Sequence, residues 1–432
     1  MADDGLDLAP PRGMRDFPPD AILLRDKIFN AWTKASTEAG FLKYDAPVVE
    51  NFDLLARKAG EEVADQIYVF SDKSDRRLAL RPEATPSLVR IITGNKHKVL
   101  FPAKWWTIAQ CFRYERTTKG RKREHYQWNL DIIGEPSIMA EAWILAAAVN
   151  ALKLLGLGPD DVKIRFNHRK LITALLTEIG IAEASHLDVL LILDKQGKVE
   201  VPALVQMLVE KGISKEIAET IFNRLTTLHT DVANGENLSG PQKEISDFLN
   251  YGMALGIGDY LCFDPGVVRG LAYYTGIVFE AFDAGRELRA VFGGGRYDNL
   301  FSDMTGEARC AVGLGFGDVV LGELLEAKKL AEVKTTIPAC VGSFDKSLES
   351  DAAVLAKNII SAGVSADVLL SAGGPKKFFQ YADRRGARFA VLLAPDEFKS
   401  GLALIKELGT GEQTKVPIAE VPAWLAGKAV KP

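Results

Sequence analysis

Polar and apolar residues alternate along the segment Trp105–Gly134, on both sides of a cationic loop. Alternation with a period of two predicts two β-strands that form a hairpin with two chemically different faces. On the second strand one face carries Tyr126, Trp128, Leu130 and Ile132, and the other carries His125, Gln127, Asn129 and Asp131. A polar face cannot pack on a dry core without unpaired polar groups, so we expect it to line a wet cavity. Exposure of that face to solvent is the alternative.

The loop of this predicted hairpin is strongly cationic, and around Gly120 it carries Arg116, Lys119, Arg121, Lys122 and Arg123. Like charges at this density repel one another unless an anion lies between them. The loop therefore indicates a phosphate-rich ligand near the hairpin. On the strand before the loop, Arg113 and Glu115 lie on the polar face, because alternate side chains of a strand point to the same side.

The chain before the hairpin begins with a predicted helix and strand. Apolar spacing after Pro18 predicts a helix that ends at Gly40, and the strand is expected at Phe41–Glu50. Pro47 lies within this strand and has no N–H to donate to a neighbouring strand. It therefore marks an edge, a bulge or a contact between chains.

A second strand and helix follow before the hairpin. Arg77–Leu80 alternates as a strand does, and a helix is predicted at Ser87–Thr93, with Thr85 as its cap and Pro86 at its first position. Glu83 falls in the turn between the two elements. There its carboxylate either binds an amine of a ligand or serves only the turn.

After the hairpin the pattern is helical at Ile138–Leu155. The stretch from about 168 to 238 is also helical, charged and short-looped, and we interpret it as an inserted helical module. The helices predicted in and after it are Lys170–Ile179, Val201–Lys211, Lys215–Leu228 and Gln242–Leu255.

Strand patterns return at Tyr260–Asp264 and within Val267–Phe282, where Arg269 precedes two adjacent tyrosines. The triplet Gly293–Gly295 either lets a ligand or another strand approach the backbone closely or forms a tight turn. An alternation of glycine and apolar residues at Cys310–Gly317 then leads into a predicted helix, Asp318–Lys329.

The last part of the chain alternates between strand and helix patterns after a predicted linker at Lys334–Pro338. Such alternation predicts a small α/β domain. Its expected elements are the strands Ala339–Gly342, Ser365–Leu370 and Phe389–Ala394 and the helices Ser350–Ala362 and Pro375–Arg385. No catalytic cluster is evident in it, so we expect a binding role.

Size and composition limit the class of protein. The 432 residues suffice for two or three domains, and 47% hydrophobic with 25% charged residues is ordinary for a soluble globular chain. The formal net charge of −4 means that contact with nucleic acid depends on local basic patches. The four cysteines show no CxxC spacing, and we see no apolar signal or membrane segment, so we expect a cytoplasmic location.

The candidate chemistry is the activation of a carboxylate by ATP. Arg113 and Arg269, on separate predicted strands, would hold a carboxylate and a phosphate and stabilise the charge that builds during transfer. Glu83, Gln127 and Asp131 would hold an amine and a second polar group. Catalysis would depend on positioning and electrostatics, with ATP as substrate and Mg²⁺ neutralising its triphosphate.

These motifs resemble those of a known family. The stretch Phe112–Glu115 with its basic loop resembles the second signature motif of class II aminoacyl-tRNA synthetases. The stretches Arg81–Thr85, Arg269–Tyr274 and Gly293–Asp298 are similar to stretches particular to histidyl-tRNA synthetases. The opening Arg12–Phe17 and the first helix with its Pro47 strand, which is similar to the dimer-forming first motif, fit as well.

The resemblance covers nearly the whole chain and implies an α/β (α+β) fold. A catalytic domain at 1–334, built on an antiparallel sheet flanked by helices with the insertion at about 168–238, would precede an anticodon-binding domain at 335–432. The implied activity is ATP-dependent formation of histidyl-adenylate and transfer of histidine to tRNA(His), in a cytoplasmic homodimer without membrane contact.

The resemblance also assigns roles to single residues. Arg113 and Arg269 would be catalytic, and no protein residue would be a metal ligand. The residues implied to bind histidine are Glu83, Ala84, Thr85, Arg113, Gln127, Asp131, Arg269, Tyr273 and Tyr274. The residues implied to bind ATP are Arg113, Glu115, Arg121 and Arg123. Asp131 and Tyr274 would face the imidazole, whose donor and acceptor they match.

Two positions depart from the family pattern. Val320 stands where the third motif carries an arginine that binds the ATP γ-phosphate, and Ala272 stands where an aspartate is expected. Loss of a guanidinium–phosphate contact costs about 1.5–3 kcal/mol unless another cation replaces it. We expect Arg121 or Arg123 to bind the γ-phosphate instead.

An alternative function comes from the same family. Some of its paralogues are inactive, histidine-sensing regulatory subunits of histidine biosynthesis, and they typically lose motif residues and often lack the C-terminal domain. The motif residues Glu83, Arg113, Glu115, Gln127 and Arg269 are all present in this chain, which favours the enzyme. In the C-terminal domain, Lys376, Lys377 and Arg384 are candidates for anticodon contact, with a solvated basic face as the alternative.

Overall fold

The computed structural model describes residues 7–56, 65–196, 199–233, 240–269, 273–333 and 337–429. The chain forms two compact units, Met1–Glu332 and Val333–Pro432. Ala272 lies outside the described residues. Each unit has its own sheet and its own hydrophobic core, and the mixed α/β class expected from the sequence is confirmed.

The first unit is built on an eight-stranded sheet. In spatial order its strands are β1 (Leu42–Lys43), β5 (Ala103–Phe112), β6 (Glu124–Ile133), β11 (Ala311–Gly317), β10 (Phe292–Arg296), β9 (Ile277–Asp283), β7 (Val162–His168) and β8 (Leu261–Phe263). The central pairs are antiparallel, and only the two outermost pairs are parallel. The predicted hairpin is therefore confirmed as β5 and β6, paired from Ala103–Ile133 to Phe112–Glu124.

The prediction of a single strand at Phe41–Glu50 is wrong, because the structure has two short strands in this region. β1 pairs with β5, whereas β2 (Val49–Asn51) belongs to a separate sheet with β4 (Arg77–Leu80) and β3 (Val69–Ser71). Pro47 lies between the two short strands. Since proline cannot donate to a ladder, the chain leaves one sheet before it and enters the next after it.

The helices of the first unit pack on and around this sheet. They are α1 (Pro19–Glu38), α2 (Phe52–Ala56), α3 (Thr85–Gly94), α4 (Met139–Leu154), α5 (Arg169–Glu178), α6 (His186–Leu193), α7 (Val201–Glu210), α8 (Lys215–Ala233), α9 (Gly240–Ala254), α10 (Leu300–Thr305) and α11 (Asp318–Ala327). The apolar face of the hairpin meets α1, where Trp32 stacks on Trp128 with ring centroids 5.9 Å apart. Both side chains are fully buried. The amphipathic hairpin thus has a dry face against helices and a polar face that points away from them.

Two local predictions around the turns differ from the structure. Helix α3 begins at Thr85, so this residue is not the cap; Ala84 occupies that position and makes no side-chain hydrogen bond. The glycine triplet is not a turn, because Gly293–Gly295 form the middle of β10 between two other strands. The glycines therefore serve close approach of neighbouring groups.

Between β7 and β8 the chain is helical. Helices α5, α7, α8 and α9 lie close to the positions that periodicity predicted, and α6 was not predicted separately. Residues such as Leu204 and Leu208 of α7 are buried in the same core as the sheet residues. None of the helices in the described ranges is both long and apolar enough to cross a membrane.

The second unit contains a five-stranded sheet in the order β13 (Ala366–Val368), β12 (Ile337–Ser343), β14 (Ala387–Leu393), β15 (Leu402–Glu407) and β16 (Gln413–Pro417). Its helices are α12 (Glu349–Ser361), α13 (Pro375–Arg384), α14 (Pro395–Lys399) and α15 (Val421–Ala429). Of the predicted linker Lys334–Pro338, residues 334–336 lie outside the described part of the chain, and the last two residues belong to β12. The alternating strands and helices agree with the predicted α/β pattern.

Candidate functional site

A cavity of about 220 Å³ opens over the polar face of the β5–β6 hairpin. Its volume accommodates several water molecules and so a small polar ligand. It is lined by Arg113, Glu115, Gly120, Arg121, Lys122, His125, Gln127, Arg269, Glu280, Arg289, Ala290, Val291, Phe292, Gly293, Gly315, Gly317, Val319 and Val320. His125 and Gln127 of the polar face reach the cavity, whereas Asn129 and Asp131 are buried. The polar face is therefore the floor of a site and not an open solvent face.

Arg113 connects this floor to the turn that carries Glu83. It follows directly after β5, and its Nε donates a 3.1 Å hydrogen bond to the carbonyl oxygen of Pro82. Its backbone N–H donates to the carbonyl of Arg123 across the hairpin, which fixes the start of the loop. The hairpin thus holds the Arg113 guanidinium in the cavity wall beside the strand-to-helix turn.

Arg269 enters the cavity from a strained backbone position. Its φ of 49° lies in the left-handed region, which costs free energy for a residue with a Cβ and is most often found at functional sites. Its Nη1 donates a 3.2 Å hydrogen bond to the carbonyl of Phe279 and lies 3.6 Å from Glu280 Oε1. Burial lowers the pKa of the Arg269 guanidinium, but Tyr274 and Glu280 together with weaker causes raise it by more than burial lowers it. The net shift is therefore upward. Arg269 is a permanent cation.

Glycine is required beneath Arg269 because the guanidinium lies across the backbone of β10. A Cβ on Gly293 would lie 1.5 Å from Arg269 Nη1. Side chains on the next two glycines would also collide, at 2.1 Å from the carbonyl oxygen of Gly313 for Gly294 and at 2.7 Å from that of Ile277 for Gly295. The triplet thus leaves room for Arg269 on one side and for the adjacent strands on the other.

Asp131 lies at the deep end of the site, only 2% exposed. It accepts a 2.5 Å hydrogen bond from the phenol of Tyr297. Burial and then the charge of Asp131 raise the pKa of Tyr297, and the same two causes raise the pKa of Tyr44. Both phenols therefore stay protonated. Gly313 faces Asp131 across the sheet, and a Cβ there would lie 2.3 Å from the carboxylate.

Tyr273 and Tyr274 form a pair with ring centroids 4.7 Å apart. The guanidinium carbon of Arg269 lies 5.5 Å from the ring centroid of Tyr274. Burial is the main cause that raises the pKa of both phenols, and the charge of Glu83 contributes in the same direction. Glu83 therefore lies near the two tyrosines, followed by the buried Ala84 and Thr85.

The outer side of the site is formed by the hairpin loop. Arg121 Nε lies 2.9 Å from Glu115 Oε2, and both side chains line the cavity. Arg123 is turned to the ring of Tyr114, with its guanidinium carbon 4.1 Å from the centroid, and it is not among the lining residues. Of the two loop arginines expected at the γ-phosphate, Arg121 alone therefore faces the cavity.

His125 is neutral in the folded protein. Burial, and then the positive charge of Arg113, lower its pKa to about 3. Its Nε2 lies 3.4 Å from Gln127 Oε1. A neutral imidazole at this position adds a polar group to the floor without adding charge.

The cavity carries more positive than negative charge. Its cationic residues are Arg113, Arg121, Lys122, Arg269 and Arg289, and its carboxylates are Glu115 and Glu280. Each carboxylate lies within 4 Å of a guanidinium, of Arg121 and Arg269 respectively. Within the described residues there is no group of three or more His, Cys, Asp or Glu that could hold a metal ion. The arrangement suits an anionic ligand that brings its own counter-ion.

All of the predicted residues except Arg123 thus fall into three connected layers. Arg113, Glu115, Arg121, Gln127 and Arg269 line the cavity; Glu83, Tyr273 and Tyr274 lie beside it, with Ala84 and Thr85 next to Glu83; Asp131 lies beneath it; and Arg123 lies outside. No role was predicted for Tyr297, although it belongs to a recognised motif. Tyr44, Glu280 and Arg289 were also not predicted, because long-range contacts between distant segments bring them to the site.

Comparison with known proteins agrees with these motifs. A family model described as histidyl-tRNA synthetase matches residues 13–317, and a model described as anticodon binding domain matches residues 336–428. The first match covers the hairpin, both strands around Arg269 and the glycine triplet, and so contains every residue of the cavity except Val319 and Val320.

Full-length relatives point the same way. The chain is 40% identical over 420 residues to a chloroplastic/mitochondrial histidine–tRNA ligase of Arabidopsis thaliana, which covers 96% of this chain and 86% of that one. It is 37% identical to a histidine–tRNA ligase of Opitutus terrae, with 96% and 97% covered. The crystal structure of histidyl-tRNA synthetase from Nostoc sp. superimposes with a TM-score of 0.81 over 98% of this chain at 23% identity, which shows a shared fold.

Proposed function

The chain belongs to the histidyl-tRNA synthetase family, and we propose that its cavity activates histidine with ATP before transfer to tRNA. Histidine–tRNA ligase activity is its function, since relatives with that activity match nearly its whole length. These relatives give no support to the regulatory alternative. The observation that carries the residue-level proposal is the convergence of Arg113 and Arg269, from separate elements, on one cavity.

The two arginines would act on the reacting groups. Arg113 binds the histidine carboxylate and the α-phosphate, and Arg269 binds the α-phosphate from the opposite wall. Fixed cations at this point stabilise the charge that develops as the carboxylate attacks phosphorus and pyrophosphate leaves. No general base is needed, because the attacking carboxylate is already ionised.

Histidine would lie at the deep end of the cavity, next to the buried carboxylate of Asp131. Glu83, Thr85 and Gln127 hold the α-amino group, with Ala84 in the same turn. Asp131 and Tyr274 face the imidazole, and Tyr273 packs beside them. Since Tyr297 donates to one oxygen of Asp131, it fixes the orientation of the carboxylate toward the substrate.

ATP would occupy the outer, cationic side. Glu115 accepts from the adenine amino group, and Arg121 moves from Glu115 to a phosphate when ATP binds. Arg123, which is stacked on Tyr114, supports the loop from outside the cavity. Mg²⁺ bound to ATP would neutralise part of the triphosphate charge, while Glu115 and Glu280 would stay paired with or close to guanidinium groups.

The remaining assignments concern tRNA, assembly and location. The catalytic residues would belong to a domain at 1–334 with a helical insertion at about 168–238, and the anticodon would be bound by the domain at 335–432. We also propose a cytoplasmic homodimer. Leu42, Val49 and Phe70 are exposed apolar residues on the short strands β1, β2 and β3. They support a dimer, because burying apolar surface against a second subunit is favourable.

Charging of tRNA distinguishes the enzyme from a histidine sensor. Purified protein is incubated with ATP, Mg²⁺, labelled histidine and total tRNA, beside the variants Arg113→Ala and Arg121→Ala. We expect wild-type protein to form acid-precipitable histidyl-tRNA, with a loss of roughly 100-fold or more in Arg113→Ala. Histidine binding without charging by wild-type protein would refute the proposal.

A further inference from the structure

The position that lacks the expected third-motif arginine lies in the wall of the cavity. Val320 is in the first turn of α11, is 8% exposed and lines the site. An aliphatic side chain cannot bind a phosphate. A triphosphate that enters between the hairpin loop and α11 therefore needs a cation from another element at this wall.

Arg289 stands at the same wall but comes from a different element. It lies between β9 and β10, in a segment fixed by Asp283, whose carboxylate accepts 3.0 and 2.9 Å hydrogen bonds from the backbone N–H groups of Glu287 and Leu288. Its side chain lines the cavity. Within the described ranges of the chain, it makes no hydrogen bond or ion pair, whereas the neighbouring Arg286 is paired with Asp264 at 3.2 Å.

Gly120 brings Arg289 and Val320 together. The backbone N–H of Gly120 donates a 2.8 Å hydrogen bond to Glu323 on α11, which holds the hairpin loop against this helix. A Cβ on Gly120 would lie 3.1 Å from Arg289 Cδ and 3.4 Å from Val320 Cγ2. The aliphatic part of the Arg289 side chain and the side chain of Val320 therefore lie next to the same residue of the cavity wall, Gly120.

Arg289 also lies near Arg121, the loop cation that is paired with Glu115. Partial burial of the guanidinium, and then the positive charge of Arg121, lower the pKa of Arg289. Two neighbouring guanidinium groups repel each other, Glu115 pairs with only Arg121, and an anion between the two groups relieves the remaining repulsion. The pair therefore suits the most highly charged end of a polyphosphate.

We propose that Arg289 binds the terminal phosphate of ATP and replaces the arginine that Val320 lacks. This inference rests on the proposed function, because it assigns a phosphate-binding residue to the same ATP site. It revises the expectation that a loop arginine acts alone: Arg121 and Arg289 hold the triphosphate from two sides. Arg289 is a binding residue for the leaving pyrophosphate, and the reacting atoms remain with Arg113 and Arg269.

The test compares Arg289→Ala with wild-type protein in histidine-dependent ATP–pyrophosphate exchange. Arg286→Gln is the matched control, because it removes a guanidinium three residues away that pairs with Asp264 and does not line the cavity. Arg289 is exposed, so its replacement leaves the core intact. Inhibition by AMP is measured in parallel, since AMP occupies the same site without a terminal phosphate.

We expect the KM for ATP to rise roughly tenfold or more in Arg289→Ala, as for the loss of one charged hydrogen bond. The AMP inhibition constant and kcat should stay within about threefold of wild type, and Arg286→Gln should match wild type. A further variant, Arg289→Ala with Val320→Arg, should recover most of the affinity by supplying the guanidinium from α11.

Three results would overturn the inference: an unchanged KM for ATP in Arg289→Ala, an equal loss of AMP affinity, or no recovery with Val320→Arg. These outcomes differ from failure of the proposed function. If the proposed function fails, the wild-type protein itself shows no histidine-dependent exchange.

Discussion

Arg269 lies directly across the backbone of Gly293, with its Nη1 1.5 Å from the position that a Cβ would occupy. The guanidinium reaches the cavity only because this residue of β10 has no side chain. The closest contact is with the end of a flexible side chain, and the nearest backbone atom, the carbonyl oxygen of Phe279, lies 3.2 Å away. An alanine would therefore displace Arg269 and shift the neighbouring strand only slightly. The glycine therefore positions Arg269 in the cavity, where we propose that Arg269 binds the α-phosphate.

Gly293→Ala tests this relationship. We expect kcat for ATP–pyrophosphate exchange to fall roughly 100-fold, the scale for loss of one preorganised donor at a developing charge. The melting temperature should change little. Gly322→Ala is the control, because nothing lies within 4 Å of a Cβ there and alanine favours the helix α11. Full activity in Gly293→Ala would contradict the positioning role.

A second prediction concerns the ion pairs that hold the N-terminal segment to the site. Arg15 Nε lies 2.6 Å from Glu124 on β6, and its Nη2 lies 2.9 Å from Asp318 at the start of α11. Both carboxylates are buried, at 3% and 4% side-chain exposure, whereas Arg15 is 23% exposed. Removal of the guanidinium leaves two buried charges without this partner.

Arg15→Ala should therefore lower the free energy of unfolding by about 3 kcal/mol, the low end for breaking a buried ion pair because Arg15 is partly exposed. Urea denaturation measures this loss. Arg76→Ala, which removes an exposed pair with Asp72 of the same 2.6 Å length, should cost much less, because solvent screens this pair. Equal effects of the two substitutions would show that burial is not the cause.

Acid should destabilise the protein through His125. Its pKa is lowered to about 3 in the folded state, while the unfolded chain has the ordinary value of about 6.5. Between these values the unfolded state binds a proton that the folded state does not. The free energy of unfolding therefore falls as the pH falls from about 6.5 toward 3, by up to about 1.4 kcal/mol per pH unit.

His125→Asn keeps a polar group but removes this titration. We expect a shallower loss of stability in the variant between pH 7 and 5 in urea titrations. His168 also has a lowered pKa through burial, so part of the slope remains in both proteins and the difference isolates His125. Identical slopes would refute the assignment.

The pattern of polar and apolar residues was enough to predict the features that depend only on neighbouring residues. The alternation of Trp105–Gly134 predicted the hairpin and its two faces, because every side chain of a strand is placed by the strand itself. The polar side chain of Gln127 was located in the same way, whereas Arg113 lies one residue beyond the end of β5 and donates to the carbonyl oxygen of Pro82. A one-residue change of register would have reversed both faces, so this pattern is strongly constrained.

Features that depend on long-range pairing were not predictable from their own segments. The glycine triplet reads equally as a turn or as a close approach, and only the pairing of β10 with β9 and β11 decides between them. Pro47 indicated a break in pairing but not the change from one sheet to another. Arg289 shows no signal at all, since its neighbours Gly120 and Val320 come from distant parts of the chain.

ATP–pyrophosphate exchange with each of the twenty amino acids offered separately tests the central claim most directly, because it reports adenylate formation without tRNA. We predict that histidine supports exchange in the presence of ATP and Mg²⁺ and that the other amino acids do not. Such a result would show that Val320 is compatible with activation. Exchange with a different amino acid, or histidine binding with no exchange, would contradict the account of the site.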